Sequence, residues 1–156
     1  MASYLRLIPS HWAGVYACWG LENREAALRM ITGSTGSSEW AANVEVKCFD
    51  LTANPYLLLA GLLAAGFDGI ARGGRLPEPI DVDPAALTPE ELEERGIMRL
   101  PTSLRQSTDA LASDQVLRDG LGSALVDSVI AVRNSEIERF ADATPEEVVR
   151  AQRWTH

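Results

Sequence analysis

Lysine is almost absent from this sequence: 13 of its 14 basic residues are arginine, and Lys47 stands alone. It does not follow a Gly-x-x-x-x-Gly stretch, so the Gly33-Ser34-Thr35-Gly36 loop is not a phosphate-binding P-loop. Histidine is as scarce, at positions 11 and 156 only, which excludes a zinc site of the His-x-x-x-His kind. There is no Gly-x-Ser-x-Gly nucleophile elbow. Two cysteines, Cys18 and Cys48, are too few for a disulfide framework and fit a reducing compartment. No basic, apolar and small-residue signal opens the chain. The longest apolar run, Tyr56 to Phe67, holds two glycines and is too short to span a bilayer. Positive charge is not in surplus either. The net charge of −8 leaves no basic field to neutralise phosphates, which argues against a general nucleic-acid binder. The expectation is a soluble, cytoplasmic protein with neither a nucleic acid nor a membrane as partner.

What is present is globular: 46% of the residues are apolar and 23% charged. At 156 residues the chain is one domain's worth of sequence or a piece of something larger. Folding at that size removes roughly 70% of the unfolded surface from water, enough for a core without staples. Charge is unevenly placed. Residues 1–75 balance six basic against six acidic side chains, whereas residues 76–156 carry eight against sixteen. The acidity therefore belongs to the second half.

The chain reads as strands first and helices afterwards, the α+β pattern. Ser3–Ile8, Gly14–Leu21, Ala26–Thr32 and Asn43–Phe49 are short segments rich in Val, Ile, Tyr, Trp and Leu. They are separated by turn chemistry and predict about four antiparallel strands. Asn54 is a good N-cap and Pro55 suits the first helical position. The helix that follows is apolar on every side, which predicts burial over most of its surface, and Gly73-Gly74 stops it. Residues 76–88 form a proline-punctuated extended connection. Thr88-Pro89-Glu90-Glu91 and Thr144-Pro145-Glu146-Glu147 repeat one helix-start device, a threonine cap with proline and two carboxylates behind it. Between them, Thr102–Leu111 and Ser113–Asp119 predict short helices. Ser123–Ala141 predicts a longer one, with Val126, Val129, Ile130, Ile137 and Phe140 on one stripe.

The segment 43–49 holds the most chemistry. On a strand, Asn43, Glu45 and Lys47 share one face and Val44, Val46 and Cys48 the other, the latter facing a hydrophobic core. Two readings of the polar face stand. It is a solvated face with a weak ion pair, or the wall of a polar cavity where Glu45 holds a hard cation and Lys47 an anion. Arg6, Arg24 and Arg29 lie on or beside the other strands, with forks suited to carboxylate or phosphate, and surface solubility as the plainer role. Arg24 and Arg29 are five apart, so they converge only if the chain bends or Arg24 lies in the turn. Trp12, Trp19 and Trp40 read as core or interface aromatics, His11 as structural, and the two cysteines as buried, inert thiols.

One set of motifs goes further. Ser3-Tyr4-x-Arg6-Leu7-x-Pro9 is followed by Trp19-Gly20-x-x-Asn23-Arg24-x-x-x-x-Arg29 and by Val44-Glu45-Val46-Lys47. Asp50-x-x-Ala53-Asn54-Pro55-Tyr56-Leu57, Ala64-Ala65-Gly66-x-Asp68-Gly69-Ile70 and Leu100-Pro101-x-Ser103-Leu104 complete the series. In order and spacing this resembles the C-terminal part of the catalytic domain of the glutamine synthetase family. The resemblance implies an open barrel whose strands (1–53) are backed by helices (54–156), lining a site built between subunits of a ring. It implies ATP and Mg²⁺ or Mn²⁺, with glutamate and an amine as substrates joined through γ-glutamyl phosphate. By position, Arg6 and Lys47 would bind substrate, and Arg24, Arg29 and Asn43 would bind the nucleotide. Arg24 and Lys47 would act in catalysis, and Glu45 would ligate metal. The family usually carries arginine where this chain has Asn43 and Lys47. That departure resembles the divergent branch with γ-glutamyl-amide ligases. The resemblance also implies that the β-grasp domain and most metal ligands lie upstream of these residues. Glu45 alone cannot hold two hard cations. The expectation is therefore a ligase fragment inactive by itself, or a noncatalytic remnant that co-assembles with a complete subunit.

Overall fold

A computed structural model describes residues 2–11, 13–33, 36–49 and 52–154. The readings made of Trp12, Ser34, Thr35, Asp50 and His156 lie outside them. The chain divides into a helical unit, residues 1–4, 51–76 and 101–156, and a sheet-bearing unit, residues 5–50 and 77–100. The fold class is α+β, with three strands rather than four among the described residues: β1 (Trp19–Leu21), β2 (Leu28–Ile31) and β3 (Asn43–Val46), in that spatial order.

The sheet is mixed rather than antiparallel. β2 pairs antiparallel with β3 but parallel with β1. A connection as short as residues 22–27 ordinarily joins antiparallel strands. Here the strands are so short that returning along one covers only roughly 10 Å. Glu22 turns the chain in the left-handed region (φ 52°), and its amide donates to Met30 O at 2.9 Å. The first expected strand, Ser3–Ile8, is instead a 3₁₀ turn over Ala2–Arg6. Its Leu5 and Ile8 are exposed, so the apolar run has no sheet to cover and its β propensity goes unused.

Two outlying segments complete the sheet unit. Ile80 N donates to Trp19 O at 2.9 Å, laying the proline-rich connection along β1. Leu100 N donates to Val15 O and Ala17 N to Met98 O, around a bridge between Tyr16 and Arg99. These pairings bring Ile80 and Ile97 onto Cys18 and Ala26, the buried cluster on which Tyr16, Leu87 and Leu92 pack. Gly14 is required there. It holds φ 62°, and a Cβ would stand 2.8 Å from Ala27 Cα. α1 (Ser38–Ala41) precedes β3, and α3 (Pro89–Glu94) starts at Thr88 with the expected capping box.

The helical unit follows the sequence closely. α2 (Pro55–Ala71) starts at Asn54, whose Oδ1 accepts from Tyr56 N and Leu57 N. Gly73 (φ 63°) ends it. α4 (Leu104–Ser113), α5 (Gln115–Leu121) and α6 (Ser123–Arg139) follow, and α7 (Pro145–Gln152) opens on the second capping box. α4 packs on α6, with Leu104, Thr108 and Val126 buried, and α2 packs on α5. The α2–α5 approach is close: a Cβ on Gly120 would lie 2.5 Å from Ala64 Cβ. The expected burial of α2 is not met. None of its residues is buried, because α5 covers only one face. No described helix is long and apolar enough to cross a membrane.

Candidate functional site

The site residues named from the sequence all fall in the sheet unit. β2 is the middle strand, so Arg29 stands between Gly20 of β1 and Glu45 of β3 in the register. Its Nη2 donates to Glu22 Oε2 at 2.9 Å, and Nη1 lies 3.5 Å from Glu45 Oε2. Glu45 Oε1 in turn lies 3.7 Å from Lys47 Nζ. The result is a row of alternating charge, Glu22–Arg29–Glu45–Lys47, along one sheet face. Glu45 and Lys47 share that face as period-two alternation requires. Lys47 is the most sheltered member, with its side chain 10% exposed. One donor is left over: Arg29 Nε is buried and has no acceptor in the row.

The other arginines are placed differently. Arg6 lies across the end of β3, where Nη2 donates to Phe49 O at 2.9 Å and Cys48 O at 3.3 Å. Its fork thus braces the backbone just past Lys47. Arg24 lies in the β1–β2 turn and is exposed, meeting the turn condition that its spacing from Arg29 demanded. Asn43 begins β3, and its Nδ2 donates to Ala41 O at 2.9 Å, a local bond outside the charge row. The apolar face of β3 is less covered than expected: Val44 is exposed and only Val46 and Cys48 are partly buried. Trp40 is also exposed rather than core, whereas Trp19 Nε1 donates to Pro77 O at 2.7 Å. Burial pushes the thiols of Cys18 and Cys48 up, which keeps both protonated and supports their reading as inert.

Two residues that hold this arrangement together were not singled out for it from sequence. Glu22 neutralises Arg29 and accepts from Thr32 N at 3.1 Å, tying the turn to the end of β2. Asn23 is a strut: its Nδ2 donates to Ile80 O at 2.7 Å and Val82 O at 2.9 Å, and its Oδ1 accepts from Glu25 N. The only local signal was the Glu-Asn pair in a turn, where asparagine commonly bonds backbone two residues on. Its long-range bonds carry no sequence period.

The donor set decides what the row can hold. Its cations are Arg29, shared with Glu22 and Glu45, and Lys47, held by Glu45 only at a long 3.7 Å. A divalent cation does not fit it unaided. Both oxygens of Glu45 face cations, and hard cations take several oxygens. No three His, Cys, Asp or Glu residues converge among the described residues.

Comparison with known proteins follows the same lines. The family model of the glutamine synthetase catalytic domain matches residues 1–151. A gamma-glutamylpolyamine synthetase of Streptomyces coelicolor is 51% identical over 99% of this chain and 33% of its own length. A glutamine synthetase of Archaeoglobus fulgidus is 37% identical over 88% of this chain and 28% of its own. A crystal structure of a glutamine synthase homolog superposes with a TM-score of 0.75 at 35% identity, over 97% of this chain and 32% of that one. The chain thus spans about a third of the length of the relatives it matches. On these matches and its fold, the chain belongs to the glutamine synthetase family, through the catalytic domain.

Proposed function

We propose that this chain forms one wall of the site of an ATP-dependent carboxylate–amine ligase that makes γ-glutamyl amides. The carrying observation is the Glu22–Arg29–Glu45–Lys47 row, which fixes two cations, Arg29 and Lys47, on one sheet face. In the reaction, the γ-carboxylate of glutamate attacks the γ-phosphorus of ATP and ADP leaves. The free amine then attacks the acyl phosphate carbon, phosphate departs, and the amine loses one proton. Such chemistry needs fixed cations around spreading negative charge more than covalent help. Arg24, Arg29 and Asn43 serve the nucleotide end, with Arg24 and Lys47 also at the transferring phosphoryl group. Arg6 and Lys47 serve the glutamate end.

ATP's divalent ion would supply charge neutralisation there. Glu45 contributes one ligand at most, so the remaining ligands belong to chain outside these residues. The polyamine named in the 51% identical relative supports an alkylamine as acceptor rather than ammonia alone. By the same reading the protein is cytoplasmic, where glutamate and ATP are supplied, and the intact enzyme is a homo-oligomer whose sites form between subunits. The purified chain is inactive by itself.

The test is ATP-dependent formation of γ-glutamyl amide from glutamate with ammonia or putrescine. The chain alone is expected to give none. A chimera in which it replaces the matching third of the Streptomyces synthetase is expected to give product, lost on Lys47→Ala or Arg29→Ala. Turnover by the chain alone would overturn the incompleteness. A folded, inactive chimera would overturn the ligase role and leave a noncatalytic remnant.

A further inference from the structure

Glu22 is one of two described residues other than glycine, with Ser10, whose backbone lies in the left-handed region (φ 52°). A Cβ makes that conformation costly, and glycine would adopt it without strain. The Glu22 side chain offsets the cost with two bonds. Its Oε1 accepts from Thr32 N at 3.1 Å, and its Oε2 accepts from Arg29 Nη2 at 2.9 Å. The carboxylate is thereby fixed at both oxygens, although its side chain is 48% exposed. Arg29 depends on that hold. Its Nε has no hydrogen-bond partner, and its Nη1 lies 3.5 Å from Glu45, a carboxylate that also faces Lys47. Among the described residues the Glu22 bond is thus the shortest polar contact on this guanidinium. It takes up Nη2 and turns Nη1 toward Glu45.

We infer that Glu22 is the positioning residue for Arg29: it holds the guanidinium by one Nη atom and so aims the other at the polyphosphate of the nucleotide. The inference rests on the ligase reading above, in which Arg29 serves the nucleotide end, and adds the side chain that sets its direction. A guanidinium is planar, so fixing one Nη atom fixes where the other points. The hold itself is rigid. The Glu22 amide donates to Met30 O at 2.9 Å, one residue past Arg29 on β2, so carboxylate and guanidinium ride on the same short piece of sheet. The pairing also spares Glu45, whose contacts to Arg29 and Lys47 are both long. A cation aimed in advance stabilises spreading negative charge without rearranging during transfer.

The experiment places Glu22→Met, of similar length and without a carboxylate, in the chimera described above, on the wild-type and the Arg29→Lys backgrounds. On the wild-type background the KM for ATP is expected to rise about tenfold, with kcat and the KM for glutamate within about twofold. In Arg29→Lys no fork remains to be aimed, and the same substitution is expected to change the KM for ATP by less than about twofold. A full rise there overturns the inference, since Glu22 would then act through the turn that carries Arg24. An unchanged KM for ATP on the wild-type background overturns it as well. So do equal rises in both KM values, which would make Glu22 only a tie for the turn. Should Glu22→Met not fold, Glu22→Gln, whose single oxygen can still serve Thr32 N, gives the same comparison. Direction is read without turnover from crystal structures of the chimera. In Glu22→Met the Arg29 guanidinium is expected to leave its place between residues 22 and 45, and an unmoved guanidinium overturns the inference. A chimera that folds without turnover defeats the ligase reading, and the crystallographic comparison then decides by itself whether Glu22 directs Arg29.

Discussion

Arg29 and Glu45 face each other across the β2–β3 register at 3.5 Å, and the same guanidinium holds Glu22 at 2.9 Å. One side chain thus fixes both the turn after β1 and the carboxylate on β3. A planar fork can reach two carboxylates at once, and an ammonium cannot.

Arg29→Lys is therefore expected to keep the charge and lose the geometry. The Arg29 side chain is 22% exposed, between the surface and buried limits, so the cost is about 1–2 kcal/mol. Urea unfolding of the isolated chain measures it. In the chimera the same variant is expected to raise the KM for ATP more than the KM for glutamate. An unchanged unfolding midpoint would mean that Glu22 and Glu45 do not depend on the fork.

Gly20 lets the 77–82 segment approach β1, since a Cβ there would stand 2.4 Å from Ile80 O. Gly20→Ala is expected to cost about 1–3 kcal/mol through overpacking. Asn23→Ala removes two bonds from the same segment and is expected to cost a similar amount, about 1–3 kcal/mol. Because both act on one contact, the double variant should cost less than the sum of the singles. Strict additivity in chemical denaturation would separate the two roles.

The capping box of α7 carries a pH dependence. Hydrogen bonds from the Thr144 backbone and hydroxyl hold the Glu147 carboxyl below its usual range. A depressed carboxylate stabilises the fold above the unfolded-state value, about 4.3, and the benefit is lost as pH falls through the lower folded value. Glu147→Gln, which removes the charge that these bonds favour, is expected to lower stability at pH 7. The gap between wild type and variant should narrow below pH 4. Equal loss at pH 7 and pH 3, read from far-ultraviolet circular dichroism melts, would contradict this origin.

The helices were legible because their signals are local. Asn54-Pro55 and the two Thr-Pro-Glu-Glu starts announce caps that the structure forms, and the α6 stripe buries Val126 as its spacing requires. The sheet was less so. Tyr4, Leu5 and Ile8 have strand-forming side chains, yet pairing depends on a neighbour that local sequence does not reveal. The parallel β1–β2 pair depends on Asn23 reaching residues 80 and 82, a contact without periodicity. Alternation did put Glu45 and Lys47 on one face, and the structure joins them through a 3.7 Å contact. It could not show that Glu22 completes the row, or that Arg6 is occupied with carbonyls.

Lys47 has a consequence for chemical labelling. As the sole lysine it is, apart from the α-amino group, the one amine an acylating reagent can find. Sheltered beside Glu45 with a tenth of its side chain exposed, it is expected to react slowly in the folded chain and readily once β3 comes away. A single mass increment thus reports the integrity of this sheet face, residue-resolved, without any probe being engineered into it.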